Sequence, residues 1–444
     1  MVTQVAPATA VNTGGAALVI TGSGFVSGAT VTIGGVPATN VVVASETRIN
    51  CTAPAKAKTC GRTPIVVTNP GGQTATAASL FSYKSGAFAL APAQSTPANS
   101  IPTAGNVVAG EFNGDSNPDL VVVNLGAAGA ASTVSLLLGQ GTGAFASPST
   151  APVGTLPRGL IAADVDGNKL PDVIVANSVS NSFTVLLNSG NGTLTVKGST
   201  STGSVGADAV AVGDFDGDNK LDVAVANSGT VAAGGTVSVL LGNGDGTYRL
   251  PAVTLRTGAM TNSVVVRDVN GDQKLDVVAA SQSGIDVLLG NGNGTFMTSV
   301  QFLVGTAALS VGAADFDGDG KQDLFAINAN TNNLSVLLNV GGSGTGMFSS
   351  PRIVASGGVA PAMVITTDLD GDGKADLATA NTMSNDVSVL LGNGNATFAA
   401  IPPQAVGTGP RSVVGADINV DGNLDLVSSN GTSANVSVLL SQCN

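Results

Sequence analysis

Residues 315–323 read DFDGDGKQD, and the spacing of the acids in this stretch decides how the rest of the chain is read. Asp315, Asp317, Asp319 and Asp323 stand at its first, third, fifth and ninth positions. Gly318 and Gly320 let the backbone turn, and Lys321 offers a main-chain carbonyl at the seventh. Oxygen donors in this number, gathered by one short loop, suit Ca2+ better than Mg2+, which keeps its waters and demands a stricter octahedron. Carboxylates this close repel one another unless a cation lies between them. The alternative is a set of metal-free Asx turns, because Asp and Gly favour turns in any case.

The register returns six more times. Its ligand positions are Glu111, Asn113, Asp115, Asn117 and Asp119; Asp164, Asp166, Asn168, Leu170 and Asp172; Asp214, Asp216, Asp218, Lys220 and Asp222; and Asp268, Asn270, Asp272, Lys274 and Asp276. Beyond the 315–323 loop come Asp368, Asp370, Asp372, Lys374 and Asp376, then Asp417, Asn419, Asp421, Asn423 and Asp425. The seventh residue of each loop would contribute its carbonyl rather than its side chain. Successive loops begin 47 to 54 residues apart, the period of a repeat architecture and not of scattered sites. Weaker binding is expected of the first loop, where Glu111 replaces Asp and Asn113 brings no charge. The same holds for the last, where Val420 replaces a glycine and is costly if that position needs a positive φ. These are not EF-hands, since the twelfth position of the fifth loop is Ala326 and not Glu.

The loops hold 24 of the 29 acidic residues, leaving Glu46, Asp208, Asp245, Asp286 and Asp386 elsewhere. The net charge of −12 is therefore ligand charge, and one Ca2+ in each loop would bring it to about +2. Nothing basic enough to hold nucleic acid remains, and no Lys/Arg run would grip a membrane surface. No apolar run reaches 18 residues, so membrane insertion is not expected. No charged-then-apolar leader stands at Met1. The reading is an extracellular, secreted or cell-surface protein whose leader is removed or lies outside this chain, because weak Ca2+ loops are useful where calcium is plentiful. Cys51 and Cys60 are close enough to bridge or to be two small buried side chains, and Cys443 is left over.

With 60 glycines, few aromatics and little that reads as an amphipathic helix, the chain is all-β. Residues 1–84 lack the acidic loop. They carry short alternating runs such as ALVITGSGF, ATVTIGGVPA and TPIVVTNPGG, the pattern of a small β-sandwich. From 85 to 444 each repeat reads as four strands: an apolar run into the loop, a second out of it, a third such as LSVLLN, and a fourth starting at an aromatic after a GNGNGT-like turn. The last repeat stops after its third strand at Val436 to Leu440. Gly86-Ala87-Phe88, before the first, reads like Gly143-Ala144-Phe145. A strand at about 86–95 is thus expected to complete the seventh blade and close a seven-bladed β-propeller, which leaves no unpaired edge. A linear array of open sheets is the alternative.

Two family resemblances sit on these motifs. Ile20 to Phe25 (ITGSGF), Val31 to Pro37 (VTIGGVP) and Val66 to Gly72 (VVTNPGG) resemble an IPT/TIG domain, an immunoglobulin-like sandwich that usually serves as a spacer or protein-contact module. The acidic loop followed by text such as Val237 to Tyr248 and Val387 to Phe398 resembles the FG-GAP/VCBS repeats of integrin α-subunit propellers and many bacterial surface proteins. That resemblance implies a calcium-stabilised extracellular propeller, often for adhesion, whose metal ligands are the loop positions already named.

The chain has no His, which excludes Ser-His-Asp, Cys-His and His-ligated zinc chemistry, so no enzyme is expected. A calcium-assisted polysaccharide lyase would need Lys, Arg or Tyr, and the only tyrosines, Tyr83 and Tyr248, fall where packed aromatics belong. The absence of Trp counts against a lectin, since Trp is the usual stacking platform for a sugar ring. Recognition of a protein or glycan on a cell surface or matrix is the first reading. Candidate surfaces are the loops Leu125 to Ser132, Ser228 to Gly235 and Asn328 to Asn333. Arg158 and Arg411 are read as solvated charges, a carboxylate grip near the central channel being the sharper alternative. Self-association into a surface fibre or sheath is a second reading, because charge is only 10% of residues and little repulsion opposes packing.

Overall fold

The computed structural model describes all residues except 12, 56–60, 79, 85–87, 97–103, 126–131, 231–233, 306 and 444. The described chain is all-β, with one short 3-10 turn at Ala329–Thr331 and no α-helix among the described residues.

The N-terminal segment holds two four-stranded antiparallel sheets. One runs Val2–Ala6, Ala17–Gly22, Arg48–Thr52, Thr39–Ser45, and the other Thr74–Ala77, Ile65–Thr68, Thr30–Ile33, Val36–Pro37. Alternation turns Leu18, Ile20, Ile49 and Cys51 of the first sheet and Val31, Ile33, Ile65 and Val67 of the second into one shared core. Cys51 is a free thiol in that core, and burial pushes it up to about 11. Its expected bridge partner, Cys60, lies outside the described residues.

From Ala104 onward seven antiparallel sheets follow in chain order, beginning with the strands Ala104–Gly110, Pro157–Ala163, Ala207–Gly213, Ser263–Arg267, Ala308–Ala314, Pro361–Thr367 and Pro410–Ala416. The second strand of each opens on the ninth residue of its acidic loop. Its six residues, DLVVVN in the first sheet and DLFAIN in the fifth, are buried without a break. Such a continuous apolar run belongs to a strand covered on both faces. In six of these strands the sixth residue is a buried Asn whose amide bonds hydroxyls of strand three, as Asn177 does to Thr184 (3.0 Å) and Asn430 to Ser437 (2.9 Å). The fourth sheet inverts the pair: Ser281 stands for the Asn and donates to buried Asp286 at 2.8 Å.

The fourth strands are shorter than expected. Phe145, Tyr248, Phe296 and Phe348 each form only an isolated bridge to the end of strand three. In three of these sheets a proline interrupts the ladder before the strand proper: Pro148, Pro251 and Pro351 precede Ser149–Pro152, Val253–Arg256 and Arg352–Ala355. The sixth sheet lays Phe398–Ala400 and Gln404–Ala405 on one strand, Asp386–Gly392. The seventh has the same two pieces from the other end of the repeats: Phe88–Leu90 pairs Ser441–Cys443, and Gln94–Ser95 pairs Asn435–Leu439. The expected N-terminal strand is therefore in place.

Each consecutive pair of sheets shares one apolar cluster, and a further one joins the last sheet to the first. In that last cluster Ile418, Val427 and Val436 pack with Leu120, Val122 and Leu137. Phe88 packs against the cluster that holds Leu369, as Phe398 packs against the one that holds Phe316.

Candidate metal centres

The acidic loops are the hairpins between strands one and two. Their register is fixed in all seven sheets: the residue before the loop pairs with its ninth, as Gly110 with Asp119, Ala314 with Asp323 and Ala416 with Asp425. Two glycine-like corners fold each loop. The fourth position has positive φ throughout, at Gly114, Gly167, Gly217, Gly271, Gly318, Gly371 and Val420, the last at 56°. The sixth is left-handed as well, and non-glycine residues hold it at Ser116, Lys169, Asn219 and Gln273.

The carboxylates divide into three jobs. The first acid organises the turn: Asp315 accepts the amides of Gly318 (2.7 Å) and Gly320 (2.8 Å), and Asp164 those of Gly167 and Lys169 (both 2.8 Å). The ninth is buried and accepts the amide of the loop's second residue with one oxygen and an amide at or just beyond the end of strand three with the other. Asp323 does this to Phe316 (2.9 Å) and Asn339 (2.8 Å), and Asp119 to Phe112 (2.8 Å) and Gly139 (2.7 Å). Burial pushes the ninth acid up, to about 6 at Asp222, Asp276, Asp376 and Asp425. The two amides pull the other way and neighbouring loop acids add to the rise. Asp119, Asp172 and Asp323 shift upward for the same first cause.

In four loops the fifth acid takes the lysine of the seventh position. Lys220 lies 3.0 Å from Asp218, Lys274 3.7 Å from Asp272, Lys321 2.9 Å from Asp319 and Lys374 2.6 Å from Asp372. Hydrogen bonding from these lysines holds Asp218 and Asp319 below the usual carboxylate range. Sequence reasoning assigned these lysines through their carbonyls and missed the side-chain pairing; Lys two residues after Asp in four of the seven loops was the available signal.

Three acids bring oxygens within 4.8 Å of one another in four loops: Asp164, Asp166, Asp172; Asp214, Asp216, Asp218; Asp315, Asp317, Asp323; and Asp368, Asp370, Asp376. In the other three loops an amide side chain, Asn113, Asn270 or Asn419, stands at the third position, so an acid trio has one member fewer to draw on. Two buried carboxylate oxygens of the loops, Oδ1 of Asp368 and Oε2 of Glu111, accept no hydrogen bond. Converging carboxylates, with an orphan oxygen in one such loop, are a donor set able to hold a hard metal ion.

The fold and the loops agree with the family comparisons. The FG-GAP-like repeat matches residues 112–175, 164–225, 228–279, 268–326, 315–379 and 368–428, and the IPT/TIG domain matches 1–83. The chain belongs to the FG-GAP-like repeat family, with an N-terminal IPT/TIG domain. Among curated proteins no sequence matches it. Similar solved structures include an auxiliary nutrient binding protein from Bacteroides ovatus, at 13% identity and TM-score 0.45, covering 99% of this chain and 97% of that one. An Agrocybe aegerita lectin that recognises non-reducing terminal N-acetylglucosamine is similar at 18% identity and TM-score 0.47, covering 84% and 96%.

Proposed function

We propose that the seven sheets are the blades of a closed propeller in which calcium ions, up to one per blade, rigidify the acidic loops. On this reading the protein is a non-enzymatic recognition or adhesion module outside the cell, with the IPT/TIG domain as spacer. The carrying observation is the convergence of carboxylate oxygens beside the seams between sheets, together with the orphan Oδ1 of Asp368 in one of these loops. A cation there neutralises charges that otherwise repel, and so favours the folded ring. Among the described residues no helix is long and apolar enough to cross a membrane. The test is a pull-down from matrix and cell-surface extracts together with a glycan array, each run in calcium and in chelator. Capture in calcium that chelator abolishes supports the reading, and blank results from folded, calcium-loaded protein remove it. Of the candidate surfaces, residues 126–131 and 231–233 lie outside the described residues.

A second reading, self-association into a surface assembly, has its own observation. Leu250, Val253, Met297, Val300, Leu303, Met347 and Ile353, on or beside the fourth strands of the third to fifth sheets, are exposed apolar side chains. Sedimentation that shows only monomers at high concentration with calcium would dispose of it.

A further inference from the structure

The first strands of the seven sheets enclose one cavity of about 830 Å3 to which every sheet contributes. In a chain of net charge −12, three of the eight arginines, Arg158, Arg267 and Arg411, line it. Asp208 is the only acid among the lining residues. This is a positive concavity inside an acidic protein, and low-dielectric walls strengthen its pull on anions.

Two of the arginines occupy equivalent stations. Each follows a proline, Pro157 or Pro410, that pairs with the terminal Asn of strand two, Asn177 or Asn430. They therefore sit in the two sheets that flank the first sheet. At the same station the first sheet carries Gly105, next to Ala104, which pairs Asn124, so this station bears no side chain. The stem of Arg411 lies over bare Gly431, where any Cβ would collide with its Nε and approach the carbonyl of Ala104. Arg158 is steadied by Asp208, whose Oδ1 is 3.3 Å from Nε; that buried oxygen accepts no hydrogen bond, so the contact is one of charge and position. Arg411 has no acidic partner among the described residues. The walls also present amides and hydroxyls at Asn106, Asn262 and Ser310 beside the apolar Leu156 and Leu309.

We propose that this cavity binds the carboxylate of an acidic sugar residue. Arg411 and Arg158 grip the anion across Gly105, while the amides and hydroxyls take ring hydroxyls. A guanidinium is suited to a carboxylate because its planar fork matches the two oxygens. The volume suits a ligand of mono- to disaccharide size. The proposal deepens the recognition-module reading and rests on it, but Arg158 and Arg411 stand at the start of their first strands, away from the acidic loops at the other end, so the two can fail separately.

The test is calorimetric titration of the full chain in calcium with galacturonic acid, with galactose as its neutral counterpart and acetate as a carboxylate without a ring. Galacturonate is expected to bind more tightly than either, with affinity falling as salt rises. Arg411→Gln and Arg158→Gln should each weaken it by about tenfold or more. Arg352→Gln, on the fourth strand of the fifth sheet, should leave it unchanged. Equal binding of galactose, equal binding of acetate, or indifference to the Arg411 and Arg158 substitutions overturns the proposal, as does no binding by protein whose calcium-dependent rise in melting temperature is intact. That rise, measured on the same samples, reports separately on the module reading.

Discussion

The amide of Gly294 donates to the carbonyl of Phe215 at 2.7 Å, tying the turn after strand three of the fourth sheet to the acidic loop of the third. The same bond recurs from Gly192 to Phe112 (3.1 Å), Gly246 to Val165 (3.0 Å) and Ala396 to Phe316 (2.7 Å). In each case the acceptor is the loop's second residue, whose side chain enters the seam cluster. Loop order and sheet-to-sheet packing are thus one mechanical unit. Chelation is expected to lower the melting temperature and to speed exchange of the Gly192, Gly246, Gly294 and Ala396 amides more than that of strand-two amides. Exchange rates that do not respond to chelator would detach the metal from the seams.

The acids of one loop differ in how much structure they carry besides ligation. Asp323→Ala strands the amides of Phe316 and Asn339 in the interior, and should cost about 2 to 5 kcal/mol in chelator and more in calcium, because Asp323 also belongs to the acid trio. Asp317 is half-buried and belongs to the acid trio. Asp317→Ala should change the metal-free stability little while reducing the gain from calcium. Chemical denaturation of both variants in calcium and in chelator reads the contrast.

Much of this architecture was legible in the residues, and the exceptions have physical causes. The sevenfold period, the loop register and the N-terminal strand that joins the last sheet follow from pattern, because Gly86-Ala87-Phe88 reads like Gly143-Ala144-Phe145 where the last repeat lacks its fourth strand. The short fourth strands were not legible: an aromatic that looks like a strand start is drawn into the seam, and the proline after it cannot donate to a ladder. The lysine contacts were missed because a residue read for its carbonyl also has a side chain long enough to reach back two positions. The shared cavity was invisible too, since its lining comes one or a few residues at a time from seven distant strands.

Val420 tests the backbone argument directly. It holds φ at 56° and is half-exposed, so its side chain gains little from burial while its β-branch suffers in the left-handed region. Val420→Gly should stabilise the protein by about 1 kcal/mol and tighten calcium binding at the seventh loop. An unchanged or lower melting temperature would mean that the loop tolerates valine at no cost.

Closure of the ring can be probed through Phe88. It packs in the cluster between the sixth and seventh sheets, near Leu369 and Leu391. Phe88→Ala should cost about 1 to 3 kcal/mol, close to the cost of Phe398→Ala at the preceding seam. If the N-terminal strand were a loose appendage, the first substitution would be silent and the second would not, which a pair of melting curves can tell.

Metal-free stability and the gain from calcium respond to pH with opposite signs. Burial holds Asp222, Asp276, Asp376 and Asp425 at about 6, against 3.8 for an ordinary aspartate. Below about pH 4 the unfolded chain also keeps these protons, so nothing is lost. As the pH climbs towards 6, the unfolded chain releases protons that the folded protein still retains, and the metal-free fold loses stability across that window. Calcium competes with the same protons, so its stabilising effect should be small near pH 4.5 and full above about pH 6.5. Melting curves in chelator should therefore fall between pH 4 and 6, while the gap to the calcium curves widens. A gap that does not vary with pH would show that these buried acids take no part in holding the ion.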